Sequence, residues 1–390
     1  METASGTAAA TKAVGNAAPL FPYLDLKAQY RSIREEVSEA IARVMESQHF
    51  ILGKEVEQFE AEVAAKLGVR HAISCASGSD ALVLAMMAAE IGPGDEVITS
   101  PFTFVATGGS IARVGATPVF VDIEPVTFNL SPAAVESAIT QRTRAVLPVH
   151  LFGLSADMDR ILQLAKEHSL CVIEDAAQAI GSQYKGRNVG PLGDFGCFSF
   201  FPSKNLGGAG DGGLITTEDP AMAAKLRMLR VHGSKKKYHH ELLGMNSRLD
   251  ELQAAILRVK LRHLDSWTEA RRARAARYRE LFDREGLSSS VTYPAEPGPD
   301  YYHVYNQFTI RCSARDDLRE HLRNDGIPTE IYYPLPLHLQ PAFAHLGYTS
   351  GQLPASESAS REVLSLPTYP ELSEAQQEQV VRSVAAFYAN

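Results

Sequence analysis

The stretch GDFGCFSFFPSKNLGGAGDGGLITT, residues 193–217, contains the side chain with the clearest chemical potential, Lys204. Lys204 follows an apolar, strand-like run by three residues and precedes several glycines, so a firm turn would hold its amine beside apolar walls. Loss of water lowers the pKa of an ammonium group and frees the neutral amine, which can form an imine with an aldehyde. An isolated lysine is more often a solvent-exposed loop residue, so the companions of Lys204 decide between these interpretations.

Asp175 is the first companion, because it ends the apolar run LCVIED at residues 170–175. A carboxylate at that point lies at the carboxyl edge of the sheet, where open α/β sheets bind ligands. It can pair with a protonated pyridine nitrogen, which makes pyridoxal phosphate an electron sink for an amino-acid carbanion. Gln178, about one helical turn further on, could bond the phenolic oxygen of that cofactor. The alternative role of Asp175 is a helix N-cap.

A phosphate cradle is the second companion. The segment Ser77-Gly78-Ser79-Asp80 turns from a strand into a helix, so free backbone N–H groups and the positive helix end would face the carboxyl edge of the sheet. Ser79 adds a hydroxyl, and Ser199, five residues before Lys204, could add another. The alternative is that a serine here only caps a helix.

An aromatic residue, Phe104 in TSPFTFVAT, follows another predicted strand and could lie flat on a pyridine ring. The alternative for Phe104 is packing in the core. No group of residues has the spacing of a metal site, and His239-His240 is interpreted as a surface pair. We therefore predict a site with an organic cofactor and no metal.

The elements that must position these residues alternate short β-branched runs with helical patterns, which is typical of parallel strands joined by crossover helices. Seven runs, at 71–77, 96–100, 118–123, 145–150, 171–175, 197–201 and 213–217, predict one large, mixed, mostly parallel α/β sheet flanked by helices. The segment 249–264 has an apolar face too wide for a surface helix, so it should pack against the sheet or a second subunit.

The alternation of strand-like runs and helical patterns changes after residue 267. In HVYNQFTIR, residues 303–311, apolar and polar residues alternate as in an antiparallel strand. We predict a flexible N-terminal extension at 1–19, a large cofactor-binding domain at 20–267 and a smaller α+β domain at 268–390. The extension lacks the apolar run of a signal peptide.

Composition narrows the function classes. The chain has 390 residues, of which 45% are hydrophobic and 22% are charged, and this composition excludes a disordered or fibrous protein. The net charge of -8 disfavours binding to nucleic acid and to anionic membranes. The basic run 271–279 is interpreted as a solvated helix face because acidic residues interleave with it. Four scattered cysteines, Cys75, Cys171, Cys197 and Cys312, indicate reduced thiols and a cytoplasmic location. No apolar run has the length of a membrane span.

The motifs in this order resemble the sugar aminotransferases of the DegT/DnrJ/EryC1/StrS family, a branch of the fold type I pyridoxal phosphate enzymes. The resemblance covers roughly residues 22–389 and rests on DLKAQY, SGSDAL, EDAAQA, SFFPSKNLGGAGDGG and GMNSRLDELQAA. It implies a homodimer with shared sites, pyridoxal 5'-phosphate held by Lys204, L-glutamate as amino donor and a nucleotide-linked keto sugar as acceptor. Related dehydratases carry histidine in place of the lysine, so Lys204 favours an aminotransferase.

The resemblance also suggests roles for three residues outside the cofactor motifs. Asn246 would reach the cofactor phosphate of the neighbouring subunit, Arg248 would lie near the sugar and clamp a carboxylate or diphosphate, and His338 would face the substrate from the small domain. The alternatives are an internal ion pair of Arg248 with Asp250 or Glu251, and a loop-capping role for His338.

The wider similarity points to 3-keto sugars. Because Arg248 can pair with a carboxylate, UDP-2-acetamido-2-deoxy-3-oxo-glucuronate is favoured, with a dTDP-3-keto- or 4-keto-6-deoxyhexose as the alternative. A second class of function is that of a non-catalytic regulatory or binding protein, and the loss of Lys204 or Asp175 would indicate it. A lyase or desulfurase is a third, which would need an exposed, nucleophilic cysteine.

Overall fold

The computed structural model describes residues 19–294 and 298–389, so the predicted N-terminal extension lies outside the described residues except for Pro19. Within that part of the chain, the helices are α1 (Leu26–Ser47), α2 (Lys54–Leu67), α3 (Gly78–Ala88), α4 (Val105–Arg113), α5 (Pro132–Ala138), α6 (Met158–His168), α7 (Pro220–Leu229), α8 (Glu251–Arg284), α9 (Arg315–Asn324), α10 (Pro354–Glu362) and α11 (Glu374–Ala389). The strands are β1 (His71–Cys75), β2 (Glu96–Thr99), β3 (Thr117–Phe120), β4 (Thr143–Leu147), β5 (Cys171–Asp175), β6 (Gln183–Tyr184), β7 (Arg187–Asn188), β8 (Phe195–Ser199), β9 (Gly213–Thr217), β10 (Ser234–Lys236), β11 (His239–His240), β12 (Tyr301–Tyr302), β13 (Phe308–Arg311) and β14 (Val363–Leu366).

All seven predicted strand runs contribute to one sheet, in the order β1-β9-β8-β5-β4-β2-β3. Strand β9 is antiparallel to both of its neighbours, β1 and β8, and the remaining pairs are parallel. The mixed, mostly parallel α/β sheet is therefore confirmed. Its strands read as continuous apolar runs because helices cover both faces, as parallel sheets require.

Adjacent residues of one strand enter different cores. In β5, Val172 packs in a cluster with α2, α6 and the first half of α8, whereas Ile173 packs in a cluster with α3 and α7. This alternation follows from the two-residue period of a strand. The ends of the strands are thereby held between two rigid layers of helices.

Helix α8 runs unbroken through the predicted domain boundary at residues 267 and 268. Its first half uses two apolar faces, since Leu257 packs in the core beside the sheet and Ile256 packs against α1, which covers the second face within the same chain. Its second half joins the small-domain core through Tyr278. The absence of glycine and proline from 251–284 lets one helix serve both cores. No helix in the described residues is both long and apolar enough to cross a membrane.

The small domain is built around an antiparallel pair, β13 with β14, backed by α9 and α11. The predicted strand at 303–311 is thus present, although it begins only at Phe308. Two details differ from prediction. Phe21, assigned to the large domain, packs in the small-domain core, and Arg271, assigned to a solvated face, is only 3% exposed.

Candidate active site

Lys204 lies in the turn after β8, and its backbone N–H donates to the carbonyl of Phe201 at 2.9 Å. Burial lowers the pKa of the Lys204 ammonium to about 8, while the negative charge of Asp175 opposes that shift. The two side chains predicted to work together therefore interact electrostatically. An amine with this pKa is substantially neutral in mildly alkaline water, which is the form that attacks a carbonyl.

The glycines after Lys204 permit very close packing of the turn. A Cβ added to Gly207 would lie 2.2 Å from the carbonyl oxygen of Pro202, so a larger residue would displace the backbone. Helix α8 holds the same segment from outside, because Lys260 Nζ donates to the Gly207 carbonyl at 2.6 Å and Gln253 Oε1 accepts from the Ala209 N–H at 2.8 Å. The backbone that carries the lysine is thereby anchored to a long helix.

Asp175 ends β5 and is buried, with 5% of its surface exposed. Its Oδ2 accepts from Thr107 Oγ1 at 2.8 Å and its Oδ1 accepts from the Ala177 N–H at 3.2 Å. Burial raises the pKa of Asp175, and these hydrogen bonds and the charge of Lys204 counteract the rise. Turns rather than a helix follow at 176–180, so the helix-cap alternative is not observed.

A buried carboxylate next to Asp175 was not anticipated from the sequence. Glu174 accepts the ring N–H of His150 Nε2 at 2.8 Å, because His150 Nδ1 is already the acceptor for the Ala156 N–H. Its carboxylate also accepts the backbone N–H groups of Gly190, Leu192 and Gly193. A charged residue inside an apolar strand was the available signal, since such a group needs several partners when buried. The network fixes the end of β5 that carries Asp175.

The predicted phosphate turn caps α3, with Ser77 Oγ accepting the Asp80 N–H at 3.1 Å. A Cβ placed on Gly78 would lie only 2.6 Å from Cβ of Ser199, so the structure brings these two predicted cofactor residues into contact. Ser79 is the second residue of the same helix, and its carbonyl accepts from Ser110 Oγ on α4 at 3.3 Å. A helix N-terminus beside a serine hydroxyl is suited to a phosphate group.

Asp80 points at a neighbour that sequence inspection did not identify. Its Oδ2 accepts from Ser247 Oγ at 2.7 Å, and that hydroxyl accepts the Ala76 N–H at 3.1 Å. Ser247 is fully buried between exposed Asn246 and half-buried Arg248. The predicted phosphate turn and the GMNSRLD segment are therefore joined by one hydroxyl, and the Asp80 carboxylate is directed toward that hydroxyl.

The aromatic and amide residues form a second wall. Phe104 is 57% exposed at the start of α4, so it does not pack in the core. Gln178 is buried, accepts the Phe152 N–H at 2.6 Å and donates to the hydroxyl of Tyr333 at 3.2 Å. The Tyr333 ring lies 6.4 Å from that of Phe104. Nothing in the sequence indicated that Tyr333 belongs to this wall, because Tyr333 lies 155 residues from Gln178 in the chain.

The two predicted substrate residues have different surroundings. Arg248 makes no hydrogen bond or ion pair within the described residues, and Glu251 is occupied by the N–H groups of Gly53, Glu55 and Val56 at the start of α2. His338 is 1% exposed, and its Nε2 lies 3.2 Å from Glu357 Oε1, while its Nδ1 has no partner among the described residues. The substrate role of each stays a prediction.

These positions fit pyridoxal phosphate by their chemistry. The turn at Gly78 packs directly against Ser199, where a Cβ on Gly78 would clash, and it presents a helix N-terminus to an anion. Lys204 supplies an amine of lowered pKa, Asp175 supplies a buried carboxylate, and Phe104 supplies an uncovered ring face. These four groups therefore match the phosphate, aldehyde, ring nitrogen and ring face of that cofactor.

Comparison with known proteins agrees with this assignment. The model of the DegT/DnrJ/EryC1/StrS aminotransferase family matches residues 31–385. The "Pleiotropic regulatory protein" of Geobacillus stearothermophilus is 56% identical over 94% of this chain and 98% of its own length. The "UDP-N-acetyl-3-dehydro-alpha-D-glucosamine 3-aminotranferase" of Acidithiobacillus ferrooxidans is 50% identical over 91% of this chain and 94% of its own.

Solved structures show the same similarity. The crystal structure of Streptomyces venezuelae DesV in complex with a ketimine intermediate superposes with a TM-score of 0.92 at 48% sequence identity. The match covers 96% of this chain and 100% of DesV. Both domains therefore have counterparts in that enzyme.

Proposed function

Because the chain belongs to the DegT/DnrJ/EryC1/StrS aminotransferase family, we propose that it uses pyridoxal 5'-phosphate to move an amino group from L-glutamate to a nucleotide-linked keto sugar. The observation that carries this proposal is the pairing of Lys204, an amine of lowered pKa, with the buried carboxylate of Asp175. When bound, the cofactor supplies an electron sink for the carbanion formed at the donor α-carbon.

Each side chain has a defined task in this proposal. Lys204 Nζ would hold the cofactor through its aldehyde, and the Lys204 amine would act as the base and acid that moves the proton of the donor α-carbon. Asp175 would keep the pyridine nitrogen protonated, and Phe104 would cover one face of the ring. The turn at Gly78 and the hydroxyl of Ser199 bind the phosphate.

For the acceptor, we place a 3-keto sugar first, and among these UDP-2-acetamido-2-deoxy-3-oxo-glucuronate. Its support is the Arg248 guanidinium, which has no internal partner in the described part of the chain and suits a carboxylate. The alternative is a dTDP-3-keto- or 4-keto-6-deoxyhexose, which has no such carboxylate. The Acidithiobacillus relative is named for amination at C3 of a UDP-linked sugar, which favours the position and the nucleotide but not the carboxylate.

Arg248→Ala separates these acceptors. We expect turnover of the uronate to fall about tenfold or more, since a lost charge-assisted hydrogen bond costs about 1.5–3 kcal/mol, while a sugar without the carboxylate is affected less. Arg248→Lys is the matched control that keeps the charge but loses the fork. Equal losses for both sugars would assign Arg248 to the diphosphate or to the fold.

The decisive experiment is the visible absorption spectrum of the purified protein with pyridoxal phosphate, before and after L-glutamate. We expect a cofactor band that glutamate bleaches and that one member of a panel of nucleotide-linked keto sugars restores. Lys204→Ala is the control, because it can bind the cofactor without the proton transfer. Absence of any band in the wild-type protein would contradict the proposal.

A shared site in a homodimer is part of the same proposal. Its support is the apolar surface of Leu26, Tyr30 and Met45 on α1, all exposed in the single chain, together with exposed Asn246. Mixed dimers of Asn246→Ala and Lys204→Ala chains should recover activity, because one of their two sites has both residues intact. Mixed dimers that form without recovery would rule out the shared site.

Two alternatives of other classes are less well supported. A regulatory role agrees with the name of the Geobacillus relative, yet both Lys204 and Asp175 are present and interact here. A bleached band with glutamate would exclude a purely non-catalytic protein. A desulfurase lacks support because burial raises the thiol pKa of Cys75, Cys171, Cys197 and Cys312. The same unpaired thiols suit a reducing cytoplasm, where we place the enzyme.

A further inference from the structure

A polar cavity of about 300 Å³ lies beside the turn that carries Lys204. Its wall includes Ser203, Tyr23, Tyr332, Arg271, Asn306 and Gln307. The N-terminal segment, α8 and the small domain therefore meet the lysine turn at this cavity. None of its described lining residues is acidic, so the wall contributes one positive charge and several neutral polar groups.

The positive charge belongs to Arg271, which is 3% exposed. Its Nη1 donates to the carbonyl oxygens of Thr368 at 2.6 Å and Tyr305 at 3.4 Å, and no carboxylate in the described residues lies within ion-pair distance. Burial lowers the pKa of Arg271 to about 10, while the negative charge of Glu371, beyond ion-pair distance, opposes the fall, so Arg271 stays a cation at neutral pH. Buried charges are ordinarily paired, and this one borders a space where an anion could pair with it.

A chain of side-chain amides determines which polar atoms face another part of the wall. The Val304 carbonyl can only accept, so Asn205 must donate to it through Nδ2, at 3.1 Å. Asn205 Oδ1 then accepts from Asn306 Nδ2 at 2.9 Å, which leaves Asn306 Oδ1 buried and without a partner among the described residues. Gln307 Oε1 is also buried and without a hydrogen-bond partner among the described residues. The chain begins at the residue after Lys204, which ties the cavity to the lysine turn.

We propose that this cavity binds a carboxylate of the amino donor, an α-amino dicarboxylic acid, next to Lys204. The inference rests on the proposed function, because the donor must bring its α-carbon to the Lys204 amine. Arg271 and the hydroxyl of Tyr332 offer hydrogen-bond donors to a carboxylate, and the free amide oxygens accept from the donor ammonium group or from water.

Size separates the two substrates at this cavity. A volume of about 300 Å³ is at the small end of ligand sites, and it accommodates an amino acid of five carbons. A nucleotide-linked sugar is several times larger and must lie mainly outside this cavity. The cavity therefore distinguishes the donor half of the reaction from the acceptor half.

Gln307→Glu tests the inference by placing a negative charge in the wall without changing its shape. Half-buried Gln307 makes no side-chain hydrogen bond within the described residues, so the substitution breaks none. We expect the L-glutamate concentration for half-maximal bleaching to rise about tenfold or more, with the keto-sugar half-reaction unchanged. Glutarate, the matching dicarboxylate without the amino group, should compete with glutamate and lose affinity in parallel. Gln307→Met separates charge from shape and should have a smaller effect.

Arg271→Lys provides the second variant, since it keeps the charge and removes the planar fork. We expect the same selective loss for glutamate and glutarate, with the cofactor spectrum and thermal unfolding recorded to establish that the variant is folded. An unchanged glutamate concentration in both variants, or an equal loss in the keto-sugar half-reaction, would overturn the inference. That failure differs from failure of the proposed function, in which the wild-type protein itself would not bleach.

Discussion

Changing Asp175 to asparagine should make Lys204 capture pyridoxal phosphate faster at neutral pH, although it should weaken retention of the cofactor. Burial lowers the pKa of Lys204 from 10.5 to about 8, and the charge of Asp175 prevents a larger fall. Removing that charge leaves the desolvation unopposed, so the pKa of Lys204 should fall further. Because only the neutral amine attacks the aldehyde, the pH midpoint of capture follows this pKa.

The size of the effect follows from the fraction of neutral amine. With a pKa of about 8, roughly one tenth of the Lys204 amines are neutral at pH 7, against about 0.03% for an ordinary lysine. A unit charge in a partly buried site shifts a neighbouring pKa by about one unit. Asp175→Asn would then bring the neutral fraction to roughly one half, so capture at pH 7 should accelerate about fivefold.

The assay mixes apoprotein with pyridoxal phosphate over a range of pH and follows the growth of the cofactor band. Lys204→Ala supplies the background from other lysines. Thr107→Val is the matched control, because it removes a hydrogen bond to Asp175 and keeps the carboxylate, so its midpoint should stay near that of the wild type. A wild-type midpoint at the ordinary lysine value, or an alkaline shift in Asp175→Asn, would refute the reasoning.

Three further predictions concern the supports of the site. Glu174→Gln should lower the free energy of unfolding by about 2–4 kcal/mol, because an amide nitrogen would then face buried N–H donors. Urea titrations measure this loss, and a change below about 1 kcal/mol would argue against a stabilising role for the hydrogen bonds of Glu174. Ser247→Ala should raise the Kd for pyridoxal phosphate several-fold in equilibrium dialysis, with Ser247→Thr largely retaining affinity, whereas loss of stability alone would leave Kd unchanged. Phe104→Ala should weaken cofactor binding by about 0.5–1.5 kcal/mol, and an unchanged Kd would show that another group covers the ring.

The sequence by itself determined the seven strands of the sheet, the type of fold and the candidate residues for the chemistry. Apolar β-branched runs and the glycines between them are local signals, because a strand or a tight turn depends mainly on residues close in the chain. Lys204 and Asp175 could be identified for the same reason, since each follows directly after such a run. The two halves of α8 pack in different cores, and the helix itself continues without a break through residues 267 and 268.

Only the tertiary structure decided how those residues are supported. Thr107 meets Asp175 across 68 positions, Ser247 meets Asp80 across 167, and both contacts depend on how layers pack. The burial of Arg271 also escaped prediction, because its charged neighbours suggested a solvated face. Periodicity reports which face of a helix is apolar, but it does not report which distant hydroxyl, carbonyl or cavity that helix will meet. Those contacts arise from the relative placement of whole elements, which local patterns do not encode.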